Sequence, residues 1–152
     1  MHNDINIFAS SIIAGKGLIS FDIGMRKIGV AISDASLIMA LPQQYIERKG
    51  HYLDKLHALL INKAGIVVGW PLELDGTIGK SCAMVESFVI NKIKTSLPIL
   101  LQDERMTTKL ANHKLKAFGI NRKTRHALDD SISAQIILDE VLENLRKING
   151  EN

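Results

Sequence analysis

The chain has 152 residues, of which 46% are hydrophobic and 23% charged, and its net charge is +3. This length suits one globular domain with its own core, because domains commonly contain about 100 to 150 residues. The single cysteine, Cys82, excludes an internal disulfide, and no Cys/His spacing typical of a metal site is present, so we expect a reducing, cytoplasmic setting.

Residues 1–16 are predicted to be an N-terminal extension. They contain the apolar stretch IFASSIIAG without a positively charged segment ahead of it, which argues against a signal peptide. The stretch is also far shorter than the roughly 20 residues that span a membrane. We therefore expect no membrane association, and we interpret this stretch as an extension, able to add a strand, on a domain that covers residues 17–148.

Three closely spaced strands are predicted next. GLISFDIG has the pattern of a buried strand that ends at Asp22, and KIGVAISD alternates larger apolar residues with small ones, as a half-buried strand does. The short connection between them suits a hairpin. LIMALPQQYIER supplies a third strand, which Pro42 restricts to an edge, a bulge or an end. This spacing indicates an antiparallel three-strand meander.

The pattern then changes to alternating helices and strands. Residues 53–60 place leucines at helical spacing, GIVVGWP is a short apolar strand, residues 81–94 suit a helix, and LPILLQDE is another buried strand. Further helices are predicted over about residues 107–118 and 127–148. Because a helix between two strands favours parallel pairing, we predict an α/β fold with a mixed central sheet.

Carboxylates stand at the ends of two buried strands. Asp22 ends the first, and Asp103 and Glu104 end the last. The crevice beyond the strand ends is the usual site in open α/β sheets, although acids also occur simply where strands meet water. In the final helix, at about 100° per residue, Asp130 shares the inward direction of Ile137. An inward carboxylate is costly unless it is paired or binds a cation, whereas a helix dipole also favours acids near a helix start.

These acids suit a metal site. If Asp22, Glu104 and Asp130 converge, their hard oxygen ligands would hold Mg²⁺ or Mn²⁺, and two ions about 3.5 to 4 Å apart suit phosphodiester hydrolysis. Asp103 is a fourth or alternate ligand, because strand alternation sends Asp103 and Glu104 to opposite faces in an unknown register. The sequence therefore predicts a metal-dependent phosphodiester hydrolase.

Positive charge is concentrated in residues 105–126, which contain seven cations and no acid, whereas the rest of the chain carries 12 cations against 16 acids. Such a segment is typical of a protein that binds a phosphate-rich partner, and it also suits a solvated helix face. Arg105 is as well placed for a salt bridge to a neighbouring acid as for a phosphate contact. The predicted nucleic-acid contacts are Arg26, Lys27, Arg105, Arg122, Lys123 and Arg125.

Four motifs, in order, carry a resemblance to a known family: FDIGMRKIGVAISD, VVGWPLELDGTIG, LQDERMTT and LDDSISAQIIL. They resemble the motifs of the YqgF family, also called RuvX, over about residues 17–145. The resemblance implies an RNase H-like fold and a bacterial cytoplasmic nuclease, assigned to maturation of the 5′ end of pre-16S rRNA and earlier proposed as a Holliday junction resolvase. It implies as partners pre-16S rRNA or branched DNA, and the small-subunit precursor. It places the family's acids at Asp22, Asp103, Glu104 and Asp130.

Two other classes of protein remain open. FDIGMRKIGVAISD is also similar to the phosphate-binding hairpin of actin-like ATPases and sugar kinases, but those proteins need two copies of the domain and this chain has room for one. The second class is an RNA-binding ribosome-assembly factor whose acids have lost catalysis.

Overall fold

A mixed sheet forms the centre of the protein in the computed structural model. The structure describes residues 1–73, 75–104 and 122–150, with side chains in the last range described from Ser131 onward. In this part of the chain the strands are β1 (Gly17–Ile23), β2 (Lys27–Ser33), β3 (Ala40–Glu47), β4 (Lys63–Trp70) and β5 (Ile99–Asp103). They are arranged in the order β3-β2-β1-β4-β5. The first three pair antiparallel and β4 lies parallel to both β1 and β5, which confirms the predicted meander and parallel strands.

Helices cover both faces of this sheet. The described helices are α1 (Ile5–Ser11), α2 (Tyr52–Leu59), α3 (Lys80–Phe88) and α4 (Arg122–Ile148). A π-helical turn, Val89–Ile93, continues α3. The last helix begins earlier than the predicted residue 127, and the helix predicted over residues 107–118 lies outside the described residues. None of the described helices has the length and apolarity that a membrane span requires.

The two faces of the sheet bury separate apolar layers, because successive strand residues point to opposite sides. Full burial of one large apolar side chain contributes about 1.5 to 3 kcal/mol, so these layers determine which way each strand faces. The layer beneath α2 and α3 includes Ile19, Phe21, Val68, Val85 and Phe88. The layer beneath α4 includes Leu18, Val67, Leu100, Ile137 and Val141.

Edge strand β3 carries Pro42, where the sequence predicted it. Pro42 pairs with Ala31 of β2, and the register between β2 and β3 shifts between Ile28 and Val30. At this irregularity the Val30 N–H donates to Ser131 Oγ of α4 at 3.2 Å. The bond ties α4, at the first of its described side chains, to the middle of the meander.

The N-terminal extension packs onto the domain as a helix. The strand considered for it is limited to a single bridge, in which His2 N–H donates to Ile99 O at 2.7 Å and His2 O accepts from Leu101 N–H at 2.8 Å. Phe8 of α1 is fully buried in the layer beneath α4. The extension therefore adds apolar contacts to this layer and covers the edge of β5.

Candidate active site

Asp22 lies near the end of the central strand β1, on the face covered by α4. Ile19, Phe21 and Ile23 point to the opposite face, into the layer beneath α2 and α3. Ser20, two residues before Asp22, donates its hydroxyl to Ala134 O of α4 at 2.7 Å. Strand alternation places Asp22 on the same side as Ser20, and its side chain is partly buried. The carboxylate is thus held between the sheet and α4.

Glu104 follows β5 and reaches Asp22 across β4. Strands lie about 4.8 Å apart, so β1 and β5 are separated by about 10 Å. The Glu104 carboxyl crosses this gap above Gly69 of β4, where a Cβ atom would lie 2.9 Å from Glu104 Cδ and 2.9 Å from Ile137 Cδ1. The Glu104 and Asp22 side chains are joined by a hydrogen bond. Glycine at position 69 therefore provides the space in which the two acids meet.

The surroundings of Glu104 favour its protonated form. Burial is the largest cause that raises the pKa of its carboxyl, to about 9, and the charge of Asp22, the hydrogen bond to Asp22 and the charge of Asp103 add to it. Without a cation, Glu104 keeps its proton at neutral pH, and its O–H donates a hydrogen bond to the Asp22 carboxylate. A cation bound by both acids would take the place of that proton.

Asp103 lies on the other side of the sheet from Glu104. In β5 the side chains of Ile99 and Leu101 enter the layer beneath α2 and α3, and alternation places Asp103 on that same face. Asp103 pairs with Trp70 of β4, which packs against that layer. The structure thus brings Glu104 to Asp22 and directs Asp103 toward the α3 face, a choice that the sequence left open.

The thiol of Cys82 in α3 lies close enough to these acids for their charges to raise its pKa. Burial is the largest cause that raises the pKa of this thiol, and the charges of Glu104, Glu73 and Asp103 raise it further. Cys82 is fully buried. A neutral, buried thiol is unreactive, so Cys82 contributes packing beside the acids and no nucleophile.

The donor set is suited to a hard divalent cation. Asp22 and Glu104 offer only carboxylate oxygens, the ligands that Mg²⁺ and Mn²⁺ prefer. Within the described residues, no group of three or more His, Cys, Asp or Glu side chains is placed to hold a metal. The predicted third ligand, Asp130, belongs to α4 immediately before Ser131, and its side chain lies outside the described part. Ser131 contacts Val30, which pairs with Phe21 next to Asp22, so α4 passes beside this end of β1.

The turn between β1 and β2 presents two of the predicted phosphate contacts. Gly24 N–H donates to Lys27 O at 2.9 Å and closes a tight turn. A Cβ atom on Gly24 would lie 2.8 Å from Lys27 O, so the turn requires glycine there. Arg26 and Lys27 are exposed, and the Lys27 ammonium lies 4.6 Å from the centre of the Tyr45 ring. Both cations thus stand a few residues beyond Asp22.

Arg48, at the end of β3, anchors this turn. Its guanidinium donates to Gly24 O at 2.8 Å, and its backbone N–H donates to Arg26 O at 2.8 Å. The guanidinium lies 4.7 Å from the centre of the Phe88 ring and 6.0 Å from that of Tyr52. Arg48 therefore connects the turn beyond Asp22 to the layer beneath α2 and α3.

The other predicted nucleic-acid contacts fall at the limits of the described structure. Arg105 lies outside the described residues. Arg122, Lys123 and Arg125 belong to the first turns of α4 by backbone, and their side chains lie outside the described part. Their phosphate contacts remain predictions.

Comparison with known proteins supports the motif resemblance. The family model described as "RuvX: Holliday junction resolvase" matches residues 16–144. The chain belongs to the RuvX family. A Rickettsia typhi relative named "Putative pre-16S rRNA nuclease" is 41% identical over 93% of this chain and 94% of its own length. Relatives with the same name from Rickettsia bellii and Anaplasma marginale are each 39% identical, and cover 96% and 93% of the chain and 98% and 93% of their own lengths.

Two residues of this RuvX-family site were not predicted from the sequence. Gly69 stands in the motif VVGWP and was interpreted only as part of a strand. Arg48 is the last residue of LIMALPQQYIER, the predicted third strand, and no spacing pattern distinguishes it from other surface cations. Both act across neighbouring strands, and only the assembled sheet brings them to the site.

We expect Gly69→Ala to separate the two acids. The added methyl group occupies the space of the Glu104 carboxyl, so the rate of nucleic-acid cleavage falls roughly 10- to 100-fold through misplacement of Glu104. Overpacking against Ile137 lowers the free energy of unfolding by about 1 to 3 kcal/mol. Single-turnover kinetics and urea unfolding measure the two effects.

Gly65→Ala is the matched control for this variant. Gly65 lies on the same strand and the same face as Gly69, away from the acids. Its added methyl group would lie 3.0 Å from side-chain atoms of Phe8 and Ile12. This variant also loses stability, but it keeps the wild-type rate. Equal loss of rate in both variants would show that Gly69 matters only for packing.

We expect Arg48→Met to loosen the turn and lower the cleavage rate about 10-fold, because misplaced groups lose rate steeply. Hydrogen exchange at the backbone amides of Gly24 and Arg48 should accelerate, since the guanidinium bond to Gly24 O is lost. Arg146→Met is the control, because Arg146 also donates to a carbonyl oxygen, that of Ile38, at 2.9 Å, in a contact between α4 and the β2–β3 connection. Unchanged exchange and rate in Arg48→Met would remove the anchoring role.

Proposed function

We propose that this RuvX-family protein is a metal-dependent nuclease that hydrolyses phosphodiester bonds during maturation of the 5′ end of pre-16S rRNA. The observation that carries the proposal is the contact between Asp22 and Glu104, two carboxyls held together at the ends of β1 and β5. The names of the relatives support the substrate. A cytoplasmic location is part of the proposal, and it rests on the single cysteine.

In this proposal the acids bind Mg²⁺ or Mn²⁺, and the site holds two ions. Asp22 and Glu104 supply the core of the site, and Asp130 is the third ligand. Asp103 was a fourth or alternate ligand in the sequence prediction, but because it faces α3 it acts on Glu104 through its charge only. When bound, a divalent cation supplies charge stabilisation to the phosphate as the bond breaks. Glu104 must release its proton to act as a ligand, since only the carboxylate binds metal.

The cations of the site bind and orient the nucleic acid. Arg26 and Lys27 are exposed on the turn beyond Asp22, and in this proposal they contact phosphate groups of the bound nucleic acid. Arginine suits two hydrogen bonds to one phosphate, whereas lysine acts as a point charge. Arg105, Arg122, Lys123 and Arg125 are proposed to extend this contact along the backbone.

A four-way DNA junction is the second candidate substrate. The description of the family model, a Holliday junction resolvase, favours it. Hydrolysis of either substrate needs the same acids, because both are phosphodiesters. The two candidates therefore differ in how the backbone is bound and share the chemistry at Asp22 and Glu104.

The deciding experiment incubates the wild-type protein with a pre-16S RNA fragment and with a four-way DNA junction, each in Mg²⁺, Mn²⁺ or chelator. We expect the RNA to be cleaved at the mature 5′ end with either metal, and no cleavage with chelator. Cleavage of the junction alone would replace RNA by branched DNA as the substrate. RNA binding without cleavage in either metal would instead indicate a non-catalytic assembly factor.

A further inference from the structure

A second cationic surface lies at the amino ends of the parallel strands β1, β4 and β5, whereas the acids lie at their carboxyl ends. Lys16 precedes β1, Lys63 opens β4, and Lys94 follows the π-helical turn on the way to β5. The three lysines line a shallow concavity of about 520 Å³, the amino-edge pocket, together with the polar residues Asn62 and Thr95. Each parallel strand, or the connection that leads to it, therefore contributes one lysine to the pocket.

The positive charge of this pocket is not balanced by the described protein. No acidic side chain lines the amino-edge pocket. Within the described ranges, none of its three lysines forms an ion pair. Lysines elsewhere do so, as Lys49 does with Glu47 at 2.8 Å and Lys147 with Glu143 at 3.7 Å. Three cations around one concavity without a counter-charge are suited to an anionic ligand.

The rim of the pocket is held by specific contacts. His57 Nε2 hydrogen-bonds to the carbonyl oxygens of Lys92 and Ile93, at 3.2 and 2.9 Å, and so ties α2 to the π-helical turn. Lys94 follows immediately, with a φ of 43° in the left-handed region. Left-handed backbone is uncommon for lysine, and it persists where surrounding contacts impose it. Lys94 thus has a defined position beside Lys63.

We propose that the amino-edge pocket binds backbone phosphates of the nucleic-acid substrate at a distance from the cleaved bond. This inference rests on the proposed function, because it assumes a nucleic-acid substrate. Five residues separate Gly17 from Asp22, so the pocket lies about 17 Å from the acids along β1 at about 3.3 Å per residue. At the rise of about 3.4 Å per base pair of B-form DNA, this distance corresponds to at least about five base pairs from the cut.

The salt dependence of binding tests this inference. The Kd of the wild-type protein for a folded RNA of about 20 base pairs is measured in chelator at several salt concentrations. Each phosphate contact contributes about 0.7 to 0.9 to the slope of log K against log salt. Lys16→Gln, Lys63→Gln and Lys94→Gln should each lower the slope by about that amount, and the triple variant by about 2 to 3. Lys147→Gln removes a lysine from the exposed side of α4 and should leave the slope unchanged.

Substrate length supplies a second readout. A hairpin of about four base pairs is too short to reach the pocket, so its affinity should be the same for the wild-type protein and the triple variant. Wild-type slopes in all lysine variants, with cleavage retained, would overturn this inference alone. A wild-type protein that neither binds nor cleaves nucleic acid would overturn it together with the proposed function. Thermal unfolding confirms that the triple variant is folded.

Discussion

Asp22→Asn and Glu104→Gln should each lower the rate of metal-dependent cleavage by roughly 100-fold or more. Each change removes one charged oxygen ligand where two carboxyls meet, and the loss of one strong electrostatic contact at a reacting centre commonly has an effect of this size. The amide side chains keep the shape of the originals. Single-turnover rates at saturating Mg²⁺ or Mn²⁺ measure the effect on whichever substrate the wild-type protein cleaves.

Asp54→Asn is the matched control for these variants, because it removes an exposed carboxylate from the first turn of α2. We expect it to keep the wild-type rate. Neither acid variant should lose stability, since each relieves the crowding of two acids beneath α4. Wild-type rates in Asp22→Asn and Glu104→Gln would contradict the proposed mechanism, whereas a loss in Asp54→Asn of equal size would indicate a general charge effect.

The metal-free protein should become less stable as pH rises from about 4.5 to about 9. Glu104 has its ordinary pKa of 4.5 in the unfolded chain and a pKa of about 9 in the folded protein. Between these values the folded state binds more protons than the unfolded state, so the free energy of unfolding decreases with increasing pH. One proton corresponds to a slope of at most about 1.4 kcal/mol per pH unit.

Urea unfolding in chelator at several pH values between 5 and 9 measures this slope, on the order of 1 kcal/mol per pH unit. Glu104→Gln should flatten the slope and make the protein more stable than wild type at the alkaline end. Mg²⁺ should stabilise the wild-type protein increasingly as pH rises, because it competes with the Glu104 proton. Glu86→Gln, which removes an exposed carboxyl of α3, should keep the wild-type slope. A flat wild-type profile would mean that Glu104 ionises normally.

The strand and helix patterns of the sequence were sufficient for the architecture. Alternation in KIGVAISD, the proline at position 42 and the apolar runs before Asp22 and Asp103 depend on neighbours along the chain, so local physics is enough to predict them. The edge position of β3 and the change from antiparallel to parallel pairing follow from these signals. The N-terminal extension was harder to predict, because α1 owes its place to Phe8 packing against distant strands.

The sequence by itself determined the five strands and the described helices other than α1, which strands end in acids, and, through its four motifs, the family to which the chain belongs. Only the tertiary structure decided that Glu104 meets Asp22 while Asp103 faces α3. Strand period is a property of the local chain, whereas contact between β1 and β5 depends on the order of strands in the sheet. It also depends on the missing side chain at Gly69, which lets one carboxyl pass over β4 to reach the other.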